Sequence, residues 1–172
     1  MSLRLRSLTA ALVGVAVLAA TGCGSGSDDG GGAGSGGETG TIRVTGVWAR
    51  TSPMEARNGA VYARIRNTSD RADALVGASV PSSVAATVEL HETVMGPGGE
   101  DHGGGMGGDG GMKMQPVDRI GVPPDGTRVL KPGGYHIMLL DLAGALKVGE
   151  SFPVTLRFER AGTIKVTAEV RR

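Results

Sequence analysis

Cysteine is almost missing from this chain of 172 residues, and the shortage removes several chemistries. With Cys23 alone there is no internal disulfide framework and no cage of thiolates for a metal. Aromatic residues make up only 3%, so a core must be built from Val, Leu, Ile and Ala, with Trp48, Tyr62 and Phe158 as larger fillers. Charge of one sign is lacking too: 18 basic side chains face 17 acidic ones. Near-neutrality without a basic cluster argues against a nucleic-acid partner. No P-loop, dinucleotide fingerprint, G-x-S-x-G elbow or H-E-x-x-H helix occurs.

No apolar run is long enough to span a bilayer. The longest, Leu8 to Ala20, follows Arg4 and Arg6 and suits the h-region of a secretory signal. It ends in "LAATGC", which resembles the lipobox at which a bacterial signal is cut before a lipidated cysteine. The expectation is a lipoprotein signal peptide over residues 1–22, lipidation at Cys23, and an extracytoplasmic protein anchored to the cell membrane. With its one cysteine used at that terminus, the exported chain has no cysteine nucleophile. Residues 23–40 then form a Gly/Ser-rich tether, and 41–172 one domain with a single core.

Within that domain, period-two alternation puts Val154, Leu156 and Phe158 on one face of a strand and Ile164, Val166, Ala168 and Val170 on one face of the next. Ala161 and Gly162 turn one into the other. Further strands are expected at Thr41–Trp48, Asn58–Asn67, Ala72–Val80, Ala86–Glu92 and Gly133–Leu142. "AGALKVG", from Ala143, has room for one helical turn. Short strands separated by "NTSD", "PPDG" and "KPGG" predict an all-β antiparallel sandwich or barrel.

Histidine and methionine are where the sequence is unusual. His91, His102 and His136 all lie between Leu90 and Met138, together with every methionine except Met1 and Met54. His102 and Met106 sit in a glycine-rich loop at about residues 96–111, which cannot form a core, with Met95 and Met112 at its two ends. Thioether sulfur is soft, neutral and suited to Cu(I), and imidazole also serves copper. In "GYHIMLL" a strand would bring His136 and Met138 out on one face with Ile137 on the other. His91 at a neighbouring strand end and Met114 in "MKM" would complete two nitrogens and two sulfurs around one ion. A blue-copper electron carrier needs a cysteine thiolate, which is not available.

"VWARTSP", "NGAVYARIRN", "VELHE", "MKMQPV" and "VPPDGTRVLKPGGYHIMLLDL" together resemble the PCu(A)C family of extracytoplasmic copper chaperones, from about Ile42 to Val170. That family's pattern is His, ten residues, Met, twenty-one residues, His-x-Met. Met114 and His136 keep the second interval, whereas His91 and Met114 enclose twenty-two residues, so the glycine-rich segment reads as an insertion. The resemblance implies a cupredoxin-like or immunoglobulin-like β-sandwich, not an enzyme, holding Cu(I) through His91, Met114, His136 and Met138. It also implies delivery to a membrane cuproenzyme, the copper centre of cytochrome c oxidase, or to another copper chaperone. Met95, His102, Met106 and Met112 are secondary candidates, with Cu(II) a further ligand for the rich loop. Copper buffering without delivery, and a sandwich interaction module that binds no metal, remain as alternative readings.

Overall fold

The computed structural model describes residues 36–52, 56–95 and 112–172. The leader, Cys23, most of the tether, Met54, and the insertion with His102 and Met106 lie outside these residues. Met95 and Met112 are described only as strand positions.

All regular structure among the described residues is β: β1 (Gly37–Thr39), β2 (Ile42–Arg50), β3 (Asn58–Asn67), β4 (Asp73–Ser79), β5 (Ala85–Met95), β6 (Met112–Pro116), β7 (Ile120–Val122), β8 (Thr127–Leu130), β9 (Tyr135–Leu142), β10 (Ser151–Phe158) and β11 (Thr163–Arg171). One path of pairing runs β6-β5-β9-β3-β2-β11-β10-β4-β7, with β1 added to β2 and β8 to β3. The path folds back on itself, so β4 comes against β5 and the two layers enclose the core. Pairing is antiparallel throughout except between β11 and β2, which run parallel. The expected all-β sandwich is therefore the fold, as a mixed sheet.

Alternation sets which side chains go in. Val154, Leu156 and Phe158 of β10 and Ile164, Val166, Ala168 and Val170 of β11 are buried as their period predicts, and the two strands pair through a turn that ends at Gly162. β2 departs from strict alternation. Ile42 and Val44 point inward, then Thr45 and Gly46 are both exposed before Val47 and Ala49 return to the core. The ladder with β3 shifts register there, and Gly46 takes φ 58°, a bulge that only glycine accommodates without strain. Beyond the bulge Trp48 faces outward, half-buried against Tyr62 with ring centroids 4.6 Å apart, and so is not a core filler. β1 occupies residues read as the end of the tether. Gly37 there lies so close to β11 that a Cβ would stand 2.6 Å from the Lys165 carbonyl oxygen.

No helical turn forms after Ala143. The segment is pinned by side chains instead: the Ser52 hydroxyl accepts the Leu146 N–H (3.0 Å), the Thr51 hydroxyl donates to the Leu146 carbonyl (2.8 Å), and the Leu146 side chain is buried.

At the far end of the sandwich, the buried carboxylate of Asp73 accepts the backbone N–H groups of Ala74, Arg160 and Ala161, tying the β10–β11 turn to β4. Replacing it orphans these donors, and hydrogen bonds to a charged group contribute more than neutral ones. Asp73→Ala is expected to lower unfolding free energy by about 2 kcal/mol in a urea titration, with Asp73→Asn in between.

Candidate metal centre

The core fixes the outer face. Ile137 and Leu139 of β9 are fully buried, so His136, Met138 and Leu140 emerge on the opposite side; Leu90 of β5 is buried, so Glu89, His91 and Thr93 do likewise. Register then aligns them. His91 stands directly opposite His136 and Glu89 opposite Met138. On the far side of β5, Met114 of β6 stands opposite Thr93; on the far side of β9, Ala60 of β3 stands opposite Met138. Residues directly opposite share a face. His91, Met114, His136 and Met138 thus leave one face of three neighbouring strands.

A cavity of about 590 Å³ opens over this face, and Arg50, Tyr62, Thr93, Met114, His136 and Met138 are among its walls. His91 is not a wall, but its ring lies beside that of His136 with centroids 5.7 Å apart. The two imidazoles are buried, at 9% and 3% exposure, while Met114 on the edge strand is 56% exposed.

Hydrogen bonding determines the tautomers. His91 Nε2 lies 2.8 Å from a carboxylate oxygen of Glu89, and His136 Nδ1 lies 3.0 Å from the Gly134 carbonyl. Neither oxygen has a proton to give, so each of those nitrogens is the donor. In a neutral imidazole that leaves His91 Nδ1 and His136 Nε2 as the lone-pair nitrogens, and these are the buried side-chain polar atoms without a partner among the described residues. Burial lowers the His136 pKa below the usual histidine value; the Gly134 carbonyl pulls it partly back and neighbouring His91 adds to the lowering. His136 is therefore neutral at pH 7. Tyr62, with its ring centroid 6.4 Å from that of His136, is pushed up by burial, an effect that the nearby Arg50 guanidinium offsets in part.

Chemically, the face offers two imidazole nitrogens and two thioethers. Among the described residues no group of three or more His, Cys, Asp and Glu could hold a metal, so an ion bound here would need the sulfurs. Such a donor set suits a soft monovalent cation. Met95 and Met112 stand opposite each other at the last rung of the β5–β6 hairpin. His102 and Met106 lie outside the described residues. Sequence reasoning missed Glu89, the Gly134 carbonyl, Arg50 and Tyr62. Only Glu89 left a local signal: in Glu-x-His on a strand, both side chains share a face.

This sandwich is similar to PCuAC domains of known structure. The copper-bound PCuAC domain from PmoF2 is 26% identical with a TM-score of 0.60, covering 79% of this chain and 97% of that one. The apo PCuAC domain from PmoF1 is 26% identical with a TM-score of 0.61, covering 79% and 98%. The resemblance read from the motifs therefore extends over the sandwich. The family described as "Putative lipoprotein LpqE-like" matches residues 42–170. A relative from Leifsonia xyli subsp. xyli (strain CTCB07), "Putative lipoprotein Lxx21020", is 30% identical over 130 residues, 76% of this chain and 69% of the relative. The chain belongs to the LpqE-like family.

Two measurements check the site's electrostatics. Long-range ¹H–¹⁵N spectra of the apo protein are expected to show protonated Nε2 at His91 and protonated Nδ1 at His136. Glu89→Ala should release the first and leave the second. A histidine whose folded pKa lies below its unfolded value of about 6.5 favours the folded state fully only above that value. Apo stability is therefore expected to fall as pH drops from about 6.5 through the folded pKa of His136, and His136→Phe should flatten that limb of the profile.

Proposed function

We propose that the domain binds Cu(I) through His91 Nδ1, His136 Nε2 and the thioethers of Met114 and Met138, and passes it to a membrane cuproenzyme, the copper centre of a cytochrome c oxidase. The observation that carries this reading is the pair of buried, unpartnered imidazole nitrogens on adjacent strands. Burying an unsatisfied polar atom costs about 1–3 kcal/mol, and a metal is a partner that removes the cost. Glu89 and Gly134 act as the outer partners that orient ligating histidines and raise their basicity. Likeness to a copper-bound PCuAC domain supports the choice of metal.

Thioethers bind without losing a proton and stay competent where thiolates would be oxidised. They are also weak enough to be displaced one at a time by an acceptor's thiolates. Met114, the most exposed donor, is the natural first point of exchange. Lipidation at Cys23 and the Gly/Ser-rich tether would hold the domain at the membrane face, raising its effective concentration near a membrane acceptor. His102 and Met106 would supply an auxiliary copper site, with Met95 and Met112 at its base.

Competition with a Cu(I) chelator tests the site. His136→Ala combined with Met138→Ala should weaken binding by more than the roughly 10–100-fold that losing an outer partner costs; unchanged affinity would remove the assigned ligands. Deleting residues 98–111 should spare the tight equivalent and abolish only a second, weaker one. For delivery, a strain lacking the protein should assemble less copper-loaded oxidase under copper limitation. Normal loading with reduced tolerance of excess copper would leave buffering instead.

A further inference from the structure

The outer face that carries the candidate ligands continues beyond the cavity. Along β3 the outward positions after Ala60 and Tyr62 are Arg64 and Arg66, both exposed. Across β2, Trp48 stands opposite Tyr62, Thr45 opposite Arg64 and Arg43 opposite Arg66, while Arg50 reaches the cavity wall. β11 adds Arg171 beside Arg50, and Lys165 is exposed on the same strand. The acids interspersed here are already engaged: Glu38 pairs with Arg43 at 3.0 Å and Glu169 with Arg171 at 2.9 Å. Arg64 and Arg66 form no ion pair among the described residues. Strand pairing thus brings Arg43, Arg50, Arg64, Arg66, Lys165 and Arg171, dispersed along the sequence, onto one face. Arg43 and Arg66 stand directly across the ladder, and Glu38 offsets the charge of Arg43 alone.

We propose that this arginine face docks an acidic protein surface, on the partner that exchanges metal with the adjoining site. The purpose of docking rests on the proposed function; the surface itself does not. From Ala60, opposite Met138, to Arg64 is four residues along the strand, about 13 Å. A standard interface covers about 800 Å² on each partner, so a protein seated over the cavity also covers Arg50, Arg64 and Arg66. Complementary charge steers the encounter and fixes the register in which a partner's ligands meet Met114. A lipid surface fits less well. Among the described residues, large exposed apolar side chains on this face are limited to Met114 and Val129, the latter opposite Arg64, and Trp48 is spent on Tyr62. Among the described residues these make no apolar stripe to enter acyl chains.

The test uses the processed chain from residue 23, with Cys23→Ser, and a fluorescein-labelled poly(Glu-Ala) peptide, read by anisotropy without copper. Arg64→Glu with Arg66→Glu should weaken binding roughly tenfold or more at low salt and remove its salt dependence. A control with the same charge change, Arg119→Glu with Arg160→Glu, should bind like wild type, and both variants should keep wild-type Cu(I) affinity. Arg64→Ala with Arg66→Ala serves if the reversal misfolds. Cu(I) transfer to a dithiol peptide with acidic flanks should slow by a similar factor in the Arg64/Arg66 variants only. Equal losses in the two reversal variants, or no binding by wild type, would overturn the proposal. So would arginine-dependent binding to phosphatidylglycerol vesicles without peptide discrimination, which would assign the face to lipid. Arginine-dependent peptide binding in a protein that takes no Cu(I) would uphold the docking face and sink the copper reading.

Discussion

The candidate centre depends on one register, the opposition of His91 and His136 across β5 and β9. The neighbouring rungs hold it. Leu90 stands opposite Ile137 and Val88 opposite Leu139, with Leu90, Ile137 and Leu139 buried. A slip of one residue would turn every side chain of β5 to the other face. It would put Leu90 in water and Glu89 and His91 in the core, forfeiting about 1.5–3 kcal/mol for each large aliphatic residue exposed. Two imidazoles meet on the outside because the aliphatic residues between them have only one place to go.

That arrangement carries a cost. The core holds both rings where solvent is excluded, yet each has one nitrogen without a hydrogen-bond partner. In a site evolved only for stability, a serine or a water-filled gap would satisfy them. Here Glu89 and Gly134 each hold one nitrogen of a ring instead, which orients the rings on their facing strands. Burial outweighs the Gly134 hydrogen bond at His136, and the lowered pKa means that protons compete less for Nε2. On the proposed reading, the cost of the unsatisfied atoms and the affinity for a soft cation are two descriptions of one geometry.

Much of this was legible in the sequence because strands declare themselves by period two. All seven of the longer strands were expected, β10 and β11 from alternation and the others from short apolar runs between turn residues, and the shared face of His136 and Met138 follows from the strand period. Four short strands, β1, β6, β7 and β8, were not expected, since three to five residues carry too little period to stand out among glycines and prolines. Gly46 hid a change of phase, so Trp48 moved from the expected core to the outer face. The helical turn after Ala143 failed because hydroxyls of Thr51 and Ser52, nearly a hundred residues earlier, satisfy Leu146 first. Cross-strand facts, such as His91 opposite His136 or Tyr62 against the cavity, belong to tertiary pairing and leave no local mark. Glu89 is the exception, readable from Glu-x-His.

Pairing also explains how the family's spacing can be broken without loss of the face. β5 and β6 form a continuous ladder from His91–Pro116 through Thr93–Met114 to Met95–Met112, so residues 96–111 are inserted beyond the last rung. Met114 keeps its place because it is measured from Thr93 along the ladder, not from His91 along the chain. Lengthening a loop at such a point costs only about 0.6 kcal/mol per doubling, less than the ladder and the His91–His136 row supply. β6 is nevertheless an edge strand, paired with β5 alone, whereas β9 is flanked by β5 and β3. The donors therefore differ in how firmly they are held: His136 and Met138 on a central strand, Met114 on the rim, exposed, at the foot of the insertion. The proposed capture and release of an ion would draw on that inequality, with Met114 exchanging first.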